Sequence, residues 1–198
     1  RLKKNILEVV EVVKEHPERF LGFGSVPLGM GLEETEEWID AQITSNSLYG
    51  IGEFTPGNEQ QIMQLDTVFQ ALMDTRIYPV WVHTFHPVTM EGIKLLMSLC
   101  EKYPGIPVIF GHLGGSNWME VIKFAEEHEN IYLDLSAAFA SIATKMALTE
   151  LPERCLYSSD APYGEPYLYR QLIEFVSPDK RAAEMALGEN ISRLLELH

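Results

Sequence analysis

Apolar residues along this chain gather in short unbroken runs, separated by longer stretches where they recur every three or four positions. Six runs read as strands: RFLGFGSV (19–26), YGIGEF (49–54), YPVWVH (78–83), PVIFGH (107–112), IYLDLS (131–136) and CLYSSD (155–160). None alternates cleanly between polar and apolar. Both faces of the sheet must then be covered, which describes parallel strands flanked by helices. The stretches between them read as amphipathic helices. One opens the chain over 1–16, and 32–46 starts with acidic residues suited to a helix N-terminus. The helix over 58–75 has Asn58 as its cap, and 88–103 carries Ile93, Leu96, Met97 and Cys100 on one stripe. A Ser or Asn cap starts 116–128; 137–150 and 167–176 are helical, and 178–197 has Pro178 in its first turn.

Strand ends at Val26, Phe54, His83, His112, Ser136 and Asp160 recur every 24–29 residues. Units of that size imply right-handed crossovers in either a doubly wound sheet or a (β/α)8 barrel. Polar residues separate the two. A doubly wound sheet concentrates its chemistry at one switch point, whereas a barrel collects it at the C-terminal ends of many strands. Glu53, His83, His112, Asp134 or Ser136, and Asp160 all lie within two residues of a strand end, so the expected fold is the α/β class (β/α)8 TIM barrel. Six parallel strands are fewer than eight, and the chain is shorter than the roughly 250 residues of a complete barrel. The expectation is one incomplete barrel domain over 1–198, lacking the first two βα units. Unpaired edges at RFLGFGSV and near CLYSSD then predict self-association into a homo-oligomer or aggregate.

Charge narrows the partners. Fifteen Lys and Arg against 29 Asp and Glu give −14, a surface that repels phosphate backbones and anionic lipid. No apolar run is long enough for a membrane span, and the opening helix pattern is not that of a signal peptide. Cys100 and Cys155 lack metal-binding or redox spacing, and read as buried thiols in a reducing cytoplasm. The expected partner is a small molecule.

A histidine at one strand end is more often a satisfied core or loop residue than a ligand. His83 and His112 stand at equivalent places in successive units, with the carboxylate of Asp160 in the same ring of positions. Imidazole and carboxylate are the ligand set of a catalytic zinc or similar divalent ion. Asp160 alone would read as a cap or turn residue, but an unpaired carboxylate at a barrel mouth is costly without a cation or proton nearby. Glu53 reads equally as a ligand, a substrate contact or an ion-paired mouth residue. His86 is expected to contact loop or substrate, with Tyr163 and Trp81 as further substrate contacts; Trp81 and Trp118 are core or wall aromatics. Gly114 and Gly115 allow a tight turn that exposes backbone N–H groups. His16, His128 and His198 read as surface residues.

The segments PVWVH, VIFGHLGG, NIYLDLS, SSDAPYG and LGENISRLLEL resemble the amidohydrolase superfamily of metal-dependent TIM-barrel hydrolases, in particular the branch that includes aminocarboxymuconate-semialdehyde decarboxylase-like enzymes. The resemblance spans essentially the whole chain. It implies that His83 is a metal ligand, that His112 binds a second metal or holds the catalytic water, and that Asp160 is a ligand and the proton acceptor. Glu53 matches a place where several branches put a bridging carboxylate. The family's His-x-His pair has no counterpart here, which leaves the ligand shell incomplete in this chain. Ser159 and Ala161 replace the usual neighbours of the aspartate. The implied function is hydrolysis of a small organic substrate by a metal-activated water, with zinc as the metal. The alternatives are non-oxidative decarboxylation at the same site, or a non-catalytic barrel serving as a binding or assembly module.

Overall fold

Valine, isoleucine, leucine and phenylalanine dominate both faces of the apolar runs, so these segments can satisfy their backbones only inside a covered sheet. The computed structural model describes residues 2–136 and 140–197. Six strands lie side by side in chain order: β1 (Phe23–Gly24), β2 (Gly50–Phe54), β3 (Val80–His83), β4 (Val108–Gly111), β5 (Ile131–Asp134) and β6 (Cys155–Leu156). Every neighbouring pair is parallel. The order never reverses, so there is no switch point, and the barrel-type arrangement stands against the doubly wound one. Among the described residues, β1 and β6 each pair on one side only.

Helices cover the outside. They are α1 (Leu2–Glu15), α2 (Leu32–Trp38), α3 (Glu59–Met63), α4 (Leu65–Asp74), α5 (Met90–Lys102), α6 (Trp118–Glu127), α7 (Ser141–Glu150), α8 (Pro166–Val176), α9 (Lys180–Glu184) and α10 (Asn190–Leu194). The apolar stripe of α5 buries Ile93, Leu96 and Cys100, and α6 buries Val121, Ile122 and Ala125. Ile51, Val80, Val82, Ile109, Phe110 and Leu133 fill the sheet interior with no exposed surface. Both thiols are buried and free. No helix among the described residues is long and apolar enough to cross a membrane.

Caps follow the sequence closely. Asn58 Oδ1 accepts from the Gln61 N–H at 3.0 Å, and Thr89 Oγ1 accepts from the Gly92 N–H at 3.2 Å. Asn117 holds the cap position of α6 without a side-chain bond. Three expectations are corrected. Pro178 is not in the first turn of the last helix: Asp179 caps it, accepting from the Ala182 N–H at 2.8 Å, so the proline precedes the cap. The helices expected over 32–46 and 178–197 each widen into a π turn, at Ile39–Thr44 and Met185–Glu189. The outer strands are two residues long. After Leu156 the Tyr157 N–H turns to the Ala186 carbonyl at 2.8 Å, which takes the chain out of the sheet. Of the helix expected over 137–150, residues 137–139 lie outside the described residues, and α7 begins at Ser141.

Register places the chemistry. β3 and β4 pair Val80 with Val108 through His83 with Gly111. The C-terminal ends of the two strands are therefore level, and His112 emerges one residue beyond His83.

Candidate metal centre and its cavity

Three side chains from three successive strands converge. Glu53 comes from β2, His83 ends β3 and His112 follows β4 directly. His83 Nδ1 lies 3.3 Å from Glu53 Oε1, His112 Nε2 lies 3.5 Å from the same oxygen, and the two ring nitrogens are 3.0 Å apart. A glycine makes this possible. A Cβ on Gly111 would stand 3.0 Å from the Val82 carbonyl oxygen and 3.1 Å from Glu53 Oε1. The bare backbone at the end of β4 thus leaves the lane through which Glu53 reaches across β3.

The triangle fits a divalent cation. Edges of 3.0, 3.3 and 3.5 Å place the three atoms on a circle of roughly 1.9 Å radius, just inside the ~2.0–2.2 Å ligand distances of a zinc-sized ion. One ion can touch all three atoms without rearrangement, and they form a group suited to holding one. The donor set, two imidazoles and a carboxylate, is compatible with zinc, manganese or iron.

The rings are oriented from behind. His83 Nε2 faces the His86 carbonyl at 3.1 Å, an acceptor, so Nε2 carries hydrogen and donates. That leaves Nδ1 for the cluster, the backing expected of a ligating histidine. Glu53 feels burial pushing its pKa up, but bonds and charges from His112 and His83 outweigh it and bring the carboxyl down to about 2. His83 is raised above its ordinary value, first by its bond to Glu53, against burial and with help from the His86 carbonyl. Without an ion, His83 is the group that holds a proton between its neighbours.

His112 sits on an unusual loop. It has φ 62, Leu113 φ 53, Gly114 φ 77 and Gly115 φ 57. Four consecutive left-handed residues turn the chain sharply from β4 toward α6, and two of them are not glycine. Thr84 latches the turn: its hydroxyl donates to the Gly111 carbonyl at 2.5 Å and accepts the Gly114 N–H at 2.9 Å. The tight turn expected of Gly114 and Gly115 is present, but the N–H of Gly114 is spent on Thr84 and is not exposed to an anion.

A cavity of about 260 Å³ adjoins the cluster, lined by Glu53, His112, Trp81, Phe23, Asp134 and Asp160 among others. Phe23 and Trp81 meet edge to face at 5.8 Å. Asp160, with φ 55, looks into this cavity and adds to the raised pKa of His83 by its charge, but its carboxylate stands outside the three-atom cluster. Asp134 is 2% exposed, and burial lifts its pKa to about 6 against bonds from the Ser136 hydroxyl and N–H. Tyr163 is 90% exposed and does not line the cavity, and the His86 side chain is also exposed. Trp118 packs against the core. His16 is exposed as expected, whereas His128 is half-buried and stacked on Phe124 with ring centroids 3.9 Å apart. His198 lies outside the described residues.

The sequence did not mark Thr84, Gly111 or Phe23. Thr84 follows a candidate ligand and Gly111 precedes one, which is the signal they carried. What they do depends on strand register and cannot be read from one segment.

The amidohydrolase family model matches residues 3–197. No curated protein matches the chain. Among solved structures, an uncharacterised TIM-barrel protein from Bordetella bronchiseptica superposes with a TM-score of 0.82 at 17% identity, covering 96% of this chain and 72% of that one. A dihydroxybenzoic acid decarboxylase from Polaromonas with bound manganese and the inhibitor 2-nitroresorcinol gives 0.74 at 18%, covering 99% and 75%. The 5-carboxyvanillate decarboxylase of Sphingomonas paucimobilis gives 0.76 at 16%, covering 100% and 73%. At such identities the likeness establishes the TIM-barrel fold, and the family match over nearly the full length establishes kinship. The chain belongs to the amidohydrolase family.

Proposed function

We propose that this chain carries the site of a divalent-metal-dependent enzyme that removes carbon dioxide, without redox change, from a small carboxylated aromatic ring. The observation that carries the reading is the Glu53, His83 and His112 triangle, set beside a cavity walled by the rings of Phe23 and Trp81. The volume, about 260 Å³, is just under the ~300 Å³ lower bound of ordinary ligand pockets, which suits a single ring. Solved relatives that decarboxylate dihydroxybenzoate and 5-carboxyvanillate, one of them with manganese bound, support it.

A bound divalent cation supplies Lewis-acid stabilisation of negative charge on substrate oxygens. Glu53, His83 and His112 would hold it. Phe23 and Trp81 grip the ring and exclude water from its faces. Asp160, in the cavity but outside the triangle, is placed to move the proton. Its carboxylate takes a proton from water and passes it to the ring carbon bearing the substrate carboxylate; the C–C bond breaks, its electron pair restores the ring, and carbon dioxide leaves. The family relationship favours a second reading, hydrolysis of an amide or lactone, in which Asp160 takes the proton of the attacking water.

The test loads the purified chain with Mn2+ or Zn2+ and offers hydroxylated benzoates, then amides and lactones, with products followed by chromatography. Phenol and carbon dioxide support decarboxylation. Hydrolysis alone overturns it in favour of the second reading. Metal uptake without turnover of either class would leave a binding module, and no uptake would overturn both.

A further inference from the structure

Most polar groups facing the cavity beside the triangle are already committed. Asp134 Oδ1 accepts the Ser136 N–H at 2.5 Å, and Ser136 Oγ lies 2.8 Å from His112 Nδ1. Glu53 belongs to the triangle, and Asp160 moves the proton in the reaction proposed above. Ser158 is the exception. It is half-buried and lines the same cavity, and its hydroxyl has no partner among the described residues. Side chains go on alternating past the end of β6. Tyr157 turns outward, its hydroxyl donating to the Pro166 carbonyl at 2.8 Å, which sends Ser158 inward. In the sheet order β6 lies two strands beyond β4, about 9–10 Å away at the usual strand spacing. A serine is too short to cross that gap as Glu53 crosses β3. Ser158 therefore stays out of the triangle and meets a bound ring away from the atoms held there.

We infer that Ser158 sets substrate specificity: its side chain hydrogen-bonds a neutral hydroxyl on the substrate ring, at the end remote from the carboxylate. This rests on the function proposed above and narrows its substrate class to hydroxylated monocarboxylates. A serine hydroxyl both donates and accepts, so it pairs with another hydroxyl in either direction. A second carboxylate at that end would be repelled, because Glu53, Asp134 and Asp160 all line the cavity. A ring with no substituent there leaves the Ser158 hydroxyl unpaired. A site that pairs a substrate hydroxyl discriminates in this way against the analogue that lacks it.

Binding reads this without turnover. The chain loaded with Mn2+ is titrated by calorimetry with benzoate, 4-hydroxybenzoate and benzene-1,4-dicarboxylate. In the wild type, 4-hydroxybenzoate should bind about 2- to 10-fold more tightly than benzoate, the worth of one hydrogen bond. The dicarboxylate should bind more weakly than 4-hydroxybenzoate. In Ser158→Ala the ratio of the 4-hydroxybenzoate and benzoate affinities should fall to about one, the pairwise signature of a lost contact. Equal wild-type affinities for those two probes overturn the assignment without any variant, so a poorly folding mutant leaves the test intact. A ratio that Ser158→Ala leaves unchanged overturns it as well, and a dicarboxylate that binds as tightly as 4-hydroxybenzoate overturns the neutral group. Absence of carbon dioxide release from every hydroxybenzoate, with these preferences intact, would refute decarboxylation and leave the Ser158 contact standing. Release with no preference between the probes would do the reverse.

Discussion

Glu53 Oε1 and His112 Nε2 lie 3.5 Å apart although the whole of β3 runs between their strands. The contact exists because Glu53 leans over the end of β3 and Gly111 offers no Cβ to stop it. Two like-shaped strands would otherwise hold these groups about two interstrand spacings apart, near 9–10 Å. Glu53 is thus the element that turns two adjacent histidines into a three-cornered site. Glu53→Gln keeps the shape and removes the anionic ligand. We expect Mn2+ affinity to fall by more than the ~10–100-fold that loss of an outer partner costs. Titration calorimetry checks this, with circular dichroism showing an unchanged fold, since the side chain is one-third exposed.

Metal uptake should depend on pH in a stated direction. His83 is raised above its ordinary value because Glu53 bonds it, so it keeps its proton to higher pH than a free imidazole. A cation must displace that proton. Affinity should therefore rise with pH through neutrality and level off once His83 is deprotonated. Glu53, at about 2, is ionised throughout and adds no slope. Titrations between about pH 5 and about pH 8, the histidine window, should show close to one proton released per ion at the acid end. A flat profile would contradict the assignment of His83 as proton holder.

Part of the candidate site is legible in the sequence. His83 and His112 stood out because each ends an otherwise apolar run at equivalent places in successive units, whereas Glu53 read equally as a ligand, a substrate contact or an ion-paired mouth residue. Their convergence was not legible, because it needs the register that sets His83 level with Gly111. The same limit hid Thr84, whose partners lie on the next strand's loop. The outer strands read too long for a different reason. Apolarity reports burial and not pairing: Tyr157 follows Leu156 in an apolar run, yet bonds to Ala186 and not to the sheet. Asp160 was expected at a strand end, but β6 stops at Leu156, and neither the left-handed backbone of Asp160 nor its place outside the triangle could be read from the segment.

Asp160→Asn separates two roles. As the proton carrier of the proposed reaction, its loss should lower kcat by roughly 100- to 10,000-fold while metal affinity changes less than about threefold. As a ligand, as the family resemblance implies, affinity would fall in step with kcat. Calorimetry and turnover on one preparation decide between them.

Thr84 offers a test of how far the His112 loop is held by a single hydroxyl. Thr84→Val preserves shape but strands the buried Gly114 N–H and removes a donor from the Gly111 carbonyl. An orphaned buried group costs about 1–3 kcal/mol, so the urea midpoint should fall, with metal binding weakened because the loop presents His112. Thr84→Ser should restore both. Loss of stability without any loss of metal affinity would confine Thr84 to a structural role.

Gly115 carries the last and steepest expectation. Its φ of 57 and ψ of −119 belong to a region that side chains other than hydrogen avoid. An added Cβ would also stand 2.2 Å from Cδ2 of Phe85 and 3.2 Å from its Cα. The ring could swing, but the backbone contact would remain, so the substitution cannot be absorbed by one rotamer change. Backbone strain of roughly 1–3 kcal/mol and overpacking of about 1–3 kcal/mol act together in Gly115→Ala. At about 2–4 °C per kcal/mol for a chain of this size, the melting temperature should drop by several degrees at least. Gly57→Ala is the control, because its Cβ would meet nothing closer than the Gln61 side-chain oxygen at 3.6 Å, and it should stay within about 0.5 kcal/mol of the parent. Equal melting temperatures for the two variants would mean that the turn after β4 adapts freely. His112 would then not be held by the conformation of its own loop.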